Sequence, residues 1–188
     1  PRENVERAIK KGTGELEGVQ YEDLIYEGVG PSGTLVVIDV LTDNRNRTVA
    51  EVRKIFDKAG GQLGASGSAL WAFDQKGVIR LKQDGVSEEQ LFEIAVGAGA
   101  EDLVPEDDSW VVTTPREALD VVRDAIDGAG ITVAEAALEQ IPKVPKALGG
   151  SVGRTLIDLI EALEDHDDVQ NVYSDFIASD ELLAELAS

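Results

Sequence analysis

The chain has 188 residues, 43% of them apolar, and a formal net charge of −20, which suits one large domain or two small ones with real cores and excludes a disordered polyanion. No apolar run approaches the ~18 residues of a membrane-spanning helix, and no signal peptide is visible. With no cysteine and a single histidine, His166, disulfides, thiolate metal sites and histidine clusters are excluded, so we expect a cytoplasmic protein with no metal, cofactor or membrane partner.

Taken in chain order, residues 1–11 read as a helix with proline at an early position. Strands follow at 20–26 and 34–41, joined by the turn Gly28-Val29-Gly30-Pro31-Ser32-Gly33. A helix over 48–58 puts Val49, Val52, Ile55 and Phe56 on one face and stops at Gly60-Gly61. Residues 68–73 alternate enough to predict a strand, and 77–82 predict another. Ser87-Glu88-Glu89-Gln90 has a capping-box pattern and opens a helix to 96. Strands at 101–104 and 110–113 form a hairpin around an acidic turn, Thr114-Pro115 starts a helix to 127, and 132–140 is a strand. The order from 77 to 140 is βαββαβ, the ferredoxin-like split arrangement. A Pro/Gly-rich connection over 141–150 leads to a helix at 152–164, a strand at 169–176 and a short amphipathic helix at 179–186. The fold class is therefore α+β: two ferredoxin-like-type α/β sandwich domains, the second inserted into the first. The expected domains are residues 1–75 plus 144–188 for the discontinuous outer one, and the acidic residues 76–143 for the insert.

Charge is unevenly spread. Residues 1–58 hold nine Lys/Arg and eleven Asp/Glu, a net −2, and residues 59–188 hold eight and twenty-six, a net −18. Free nucleic acid is repelled by the second part. Against that background Leu41-Thr42-Asp43-Asn44-Arg45-Asn46-Arg47-Thr48-Val49 stands out: a donor-rich turn between an apolar strand and a helix N-terminus is a natural anion site. Asn44, Arg45, Asn46 and Arg47 are thus candidate nucleic-acid-binding residues. The competing reading is a turn and helix cap, with the arginines paired to Asp43 or Glu51. Lys10 and Lys11 are candidates too, although cations at a helix C-terminus also suit the dipole.

Other motifs are weaker. The run from Gly60 to Ser68 follows a helix and precedes a strand and has no terminal lysine, so it reads as a flexible connection and not a phosphate loop. His166, among carboxylates, reads as a solvated helix end. Glu106-Asp107-Asp108 lacks calcium-loop spacing. Trp71 and Trp110 read as packing residues ahead of base-stacking platforms. No nucleophile–base constellation is visible, so the chain reads as a non-enzyme.

Several segments together resemble one family. Asn4-Val5-Glu6-Arg7-Ala8-Ile9-Lys10-Lys11-Gly12-Thr13-Gly14, Tyr26-Glu27-Gly28-Val29-Gly30-Pro31, the arginine turn, Gly60-Gly61 with Gly64, Trp71 and Phe73 before Lys76-Gly77, Ile141-Pro142-Lys143, and Leu159 to Asp165 running into Asp168-Val169-Gln170-Asn171-Val172-Tyr173 resemble, in order, the YebC/PmpR family. That family includes the mitochondrial translational activator of cytochrome oxidase. Val29, the stretch 144–154 and Asp175 depart from its usual pattern. The resemblance implies a nested pair of α+β domains preceded by a small basic helical bundle. This chain starts at Pro1 and has no methionine, so we expect that bundle to be absent here and sequence to be missing upstream. The resemblance also implies a probable transcriptional regulator that binds DNA or, alternatively, a ribosome-associated translation factor that binds ribosomal RNA, helped in either case by the basic N-terminal domain. The acidic domain would then face a protein partner. A small-molecule-binding regulatory module is a further alternative.

Overall fold

A computed structural model of the chain describes residues 19–188; the expected first helix lies outside them. The described residues divide into two compact units, one built from the chain up to Phe73 together with Pro142–Ser188, the other from Asp74–Ile141. The fold is α+β, with antiparallel sheets and five α-helices among the described residues. None of those helices is long and apolar enough to cross a membrane.

In the first unit β1 (Glu22–Val29) and β2 (Leu35–Thr42) form an antiparallel hairpin in which Glu22 pairs with Thr42 and Val29 with Leu35. The two-residue β3 (Gln62–Leu63) edges β1, and β9 (Val169–Ser174) pairs antiparallel with β2, giving the order β3-β1-β2-β9. One extra residue in β9 opposite Asp39/Val40 makes a bulge. Helices α1 (Arg45–Lys58) and α4 (Gly150–Glu164) cover one face of the sheet. There Val36, Ile38 and Val40 meet Val52, Phe56, Leu156, Leu159 and Leu163. The opposite face carries Val37, packed against Ala69 and Phe73. Burial on both faces explains why β2 opens as the apolar run Leu35-Val36-Val37-Ile38 instead of an alternation. Gly28 lets α1 approach: a Cβ there would lie 2.5 Å from the Phe56 ring.

The second unit contains β4 (Phe73–Lys82, entering from the first unit), α2 (Glu88–Ala98), β5 (Asp102–Glu106), β6 (Ser109–Pro115), α3 (Leu119–Gly128) and β7 (Glu135–Pro142). Its strand order, β5-β6-β4-β7, is that of the ferredoxin-like βαββαβ arrangement. Ile79, Leu81, Trp110 and Val112 on the sheet pack against Leu91, Ala95, Val122 and Ile126 on the helices. Ser87 caps α2, accepting from the Gln90 N–H.

Three expected elements differ. Residues 68–73 are not a strand: Leu70–Ala72 is a 3-10 turn, and β4 begins at Phe73. The cause is Glu27, 3% exposed, whose carboxylate accepts the backbone N–H groups of Gly67, Ala69 and Leu70, donors that a strand would direct to a neighbour. The helix expected from Thr114 starts at Leu119, because pairing of Gly77 with Thr114 and Lys76 with Pro115 holds β6 extended to its end. The strand expected over 169–176 breaks at the buried Asp175, which accepts the Leu35 N–H at 2.9 Å. Beyond it β10 (Phe176–Ala178) leaves the main sheet and pairs in parallel with β8 (Lys146–Leu148), before the C-terminal α5 (Asp180–Leu186).

Two outcomes test these constraints. Gly28→Ala should destabilise the first unit by about 1–3 kcal/mol through overpacking, whereas Gly97→Ala in α2, where an added Cβ meets nothing within 4 Å, should be neutral or stabilising; denaturant titration measures both. Burial pushes the Glu27 pKa up, but its three N–H partners outweigh this and hold it below the usual value of 4.5. Its contribution to stability is therefore complete above that value and is lost as pH falls through it towards the lower folded pKa. Glu27→Gln should cost about 1.5–3 kcal/mol at pH 7, the range for hydrogen bonds to a charged group, and should flatten the loss of stability below pH ~5. Asp39, which burial pushes up, titrates in the opposite sense, so the comparison is the difference between variant and wild type.

Candidate nucleic-acid interface

Of the four candidate residues Asn44 to Arg47, three are helical. Only Asn44 lies outside: it is the N-cap of α1, its Oδ1 accepting the Arg47 N–H at 3.1 Å, while Arg45, Asn46 and Arg47 form the first helical turn. The expected turn thus gives way to a helix three residues longer. The reason is a network below it. The Thr42 hydroxyl oxygen accepts the Asn44 N–H at 3.0 Å and lies 2.7 Å from that of Thr48. Thr48 in turn reaches Asp168 Oδ2 at 2.8 Å. Asp168, 4% exposed, also binds the Arg47 Nη2 at 3.0 Å, and its backbone carbonyl accepts the Leu41 N–H at 2.9 Å. One buried carboxylate therefore joins the end of β2, the first turn of α1 and the start of β9.

This network accounts for the arginines structurally. Arg47 faces two carboxylates, Asp168 and Asp43, the latter at 3.1 Å, and the Asp168 hydrogen bond is the main influence raising its pKa. Arg45 Nε lies 3.1 Å from Glu22. Glu51 is not an arginine partner: it lies 2.5 Å from His166 Nε2. His166, expected in solvent, has a side chain only 12% exposed. Its Nδ1 accepts the Asp168 N–H at 3.1 Å, which places the ring proton on Nε2 towards Glu51. Asn46 is exposed. Lys10 and Lys11 lie outside the described residues.

Sequence reasoning passed over the rest of α1. Over fourteen residues this helix holds Arg45, Arg47, Arg53, Lys54 and Lys58 against Glu51 and Asp57, a net +3 in a chain of −20. Arg53, Lys54 and Lys58 are exposed, and none has a salt-bridge partner among the described residues. At 100° per residue, Arg47, Lys54 and Lys58 share one stripe, opposite the buried Val52 and Phe56. No acidic residue sits in the first turn. The signal was legible as local composition, but attention to the Asn/Arg motif hid it. The groove between α1 and α4 is lined by Ile55, Lys58, Ala59, Thr155, Asp158, Leu159 and Ala162.

The comparisons agree with this architecture. Residues 21–176 match the family model described as TACO1/YebC second and third domain. A probable transcriptional regulatory protein of Desulfotalea psychrophila is 45% identical over 188 residues, covering 100% of this chain and 75% of that protein. One of Geobacter sulfurreducens is 48% identical over 186 residues, covering 99% of this chain and 75% of that protein. The crystal structure of a conserved hypothetical protein from Aquifex aeolicus superposes with a TM-score of 0.84 at 43% identity, covering 97% of this chain and 76% of that one.

The Asp168 network makes a clear stability prediction. Asp168→Ala removes the buried acceptor shared by Arg47 and the Thr48 and Thr42 hydroxyls, leaving Arg47 only the more exposed Asp43, and should cost about 2–3 kcal/mol. Asp168→Asn keeps an acceptor oxygen and should cost less; chemical denaturation with unchanged m-value measures both.

Proposed function

The chain belongs to the TACO1/YebC family, and from that premise we propose that it is a non-enzymatic, cytoplasmic regulator of gene expression that binds nucleic acid. The observation that carries this reading is the set of uncompensated cations on α1. Phosphate contacts need positive charge that no carboxylate already neutralises. Arg53, Lys54 and Lys58 meet that condition, whereas Arg45 and Arg47 each share their charge with acidic neighbours. The primary phosphate contacts are therefore Arg53, Lys54 and Lys58. Asn44, Arg45, Asn46 and Arg47 shape the helix N-terminus and add secondary contacts, and Lys10 and Lys11, outside the described residues, are further candidate phosphate contacts. The second unit, with five Lys/Arg against sixteen Asp/Glu over Asp74–Ile141, repels polyanions and is free for a protein partner. Duplex DNA is the first target, in keeping with the names of the relatives, and ribosomal RNA is the second.

The test is binding to duplex DNA and to a ribosomal RNA fragment across a salt series. Replacing Arg53, Lys54 and Lys58 together by alanine should reduce the salt slope on duplex DNA by about two to three, at ~0.9 per phosphate contact. Arg45→Ala should reduce it by about one or less. Fold should survive, because exposed substitutions usually change stability within about 0.5 kcal/mol. An unchanged slope in the triple variant removes α1 from the interface.

A further inference from the structure

Trp71 is the most exposed aromatic residue among those described, at 66%, while Trp110 is 8% exposed and sits in a core. An exposed tryptophan is ordinarily free to turn; this one is fixed. Its indole N–H donates to the Ser68 carbonyl at 2.9 Å. Its backbone belongs to the 3-10 turn that the Glu27 carboxylate holds by the N–H groups of Gly67, Ala69 and Leu70. Leu70 and Ala72 on either side pack against the Val37 cluster. With its single polar atom already satisfied, the ring offers the solvent only an apolar π surface, held in one place.

The charge around it is unusual for this chain. Residues 59–73 contain no charged side chain, and residues 141–157 contain Lys143, Lys146 and Arg154 but no carboxylate. Lys143 lies against the turn: its Nζ donates to the Trp71 carbonyl at 2.9 Å and its backbone N–H to the Ala72 carbonyl at 2.8 Å. Lys146 Nζ donates to the Gly33 carbonyl at 3.3 Å. Among the described residues both ammonium groups bond only carbonyls, so no described carboxylate neutralises their charges; Arg154 alone of the three has a described carboxylate partner, Glu185. A rigid aromatic face beside the uncompensated Lys143, with acidic side chains kept out of both segments, is complementary to an unpaired base and its phosphate.

We propose that Trp71 is a stacking platform for an unpaired nucleobase, with Lys143, whose Nζ lies on the Trp71 carbonyl, serving the adjoining phosphate. This rests on the nucleic-acid reading and adds a second contact to it. The Trp71 turn covers the Val37 face of the sheet and α1 the Val36/Ile38 face, so the two contacts can be removed independently.

The experiment uses a 12-nucleotide single strand and the same sequence as a duplex. Wild-type tryptophan emission should be quenched by the single strand, since the exposed Trp71 is the accessible reporter. Trp71→Ala should weaken single-strand binding about 5- to 150-fold, the effect of losing one stacked base, and leave duplex binding unchanged. Trp71→Phe should abolish the quenching while keeping most of the affinity. Wild-type single-strand affinity in Trp71→Ala overturns the platform; if the triple α1 variant has lost binding at the same time, the nucleic-acid reading still stands. If the wild-type chain binds neither strand form, the reading and the platform fall together. A concentration-dependent blue shift of emission without nucleic acid assigns the patch to a second copy of the chain and also overturns the proposal.

Discussion

The Asp168 carboxylate is the constraint on which the basic surface depends. It is buried at the junction of β2, α1 and β9, and accepts from Arg47 and Thr48 while its main chain ties down Leu41 and engages His166. Burying a carboxylate is costly unless its lone pairs are met, and here they are met by groups that belong to the first turn of α1. The helix therefore leaves the sheet at a fixed point and in a fixed rotation. With Val52 and Phe56 turned into the core, Arg53 and Lys54 are left exposed and Lys58 is exposed at the mouth of the α1/α4 groove. Glu27 plays a parallel part on the other side of the sheet, where its carboxylate gathers three backbone donors and fixes the turn that presents Trp71.

A common logic follows for so acidic a chain. Its net charge of −20 would repel a polyanion if it were spread evenly. Instead three carboxylates, Glu27, Asp168 and Asp175, are turned inward as structural acceptors, the segments around Trp71 are kept free of acid, and cations are concentrated on one helix. Much of the negative charge falls in the second unit, whose core is independent. Binding in this arrangement depends on a small, locally positive area, so it should be steeply sensitive to salt.

Much of the fold was legible in the sequence. The alternating and 3.6-residue periods gave the second unit's βαββαβ order, the Ser87 cap and the extent of α4, because there local propensity and tertiary packing agree. The failures fall where a distant side chain supplies a backbone partner. The turn at Leu70–Ala72 is made by Glu27, more than forty positions earlier, and the break at Asp175 by pairing with Leu35. The early start of α1 depends on Asp168, about 120 positions later. No local pattern encodes such contacts. At the candidate interface the Asn44–Arg47 motif was visible, but its carboxylate partners were not, apart from Asp43. The exposure of Trp71 was equally hidden, since alternating apolar residues around it read as a buried strand.

The central claim is that nucleic acid meets this chain on α1 and avoids the acidic unit. The most direct measurement is a backbone amide NMR titration of the intact chain with duplex DNA and with a ribosomal RNA fragment. The account predicts shifts centred on Arg53 to Lys58 that fade as salt is raised, with Asp74–Ile141 unperturbed. Shifts confined to Asp74–Ile141, or a spectrum unchanged by both nucleic acids at low salt, would contradict it.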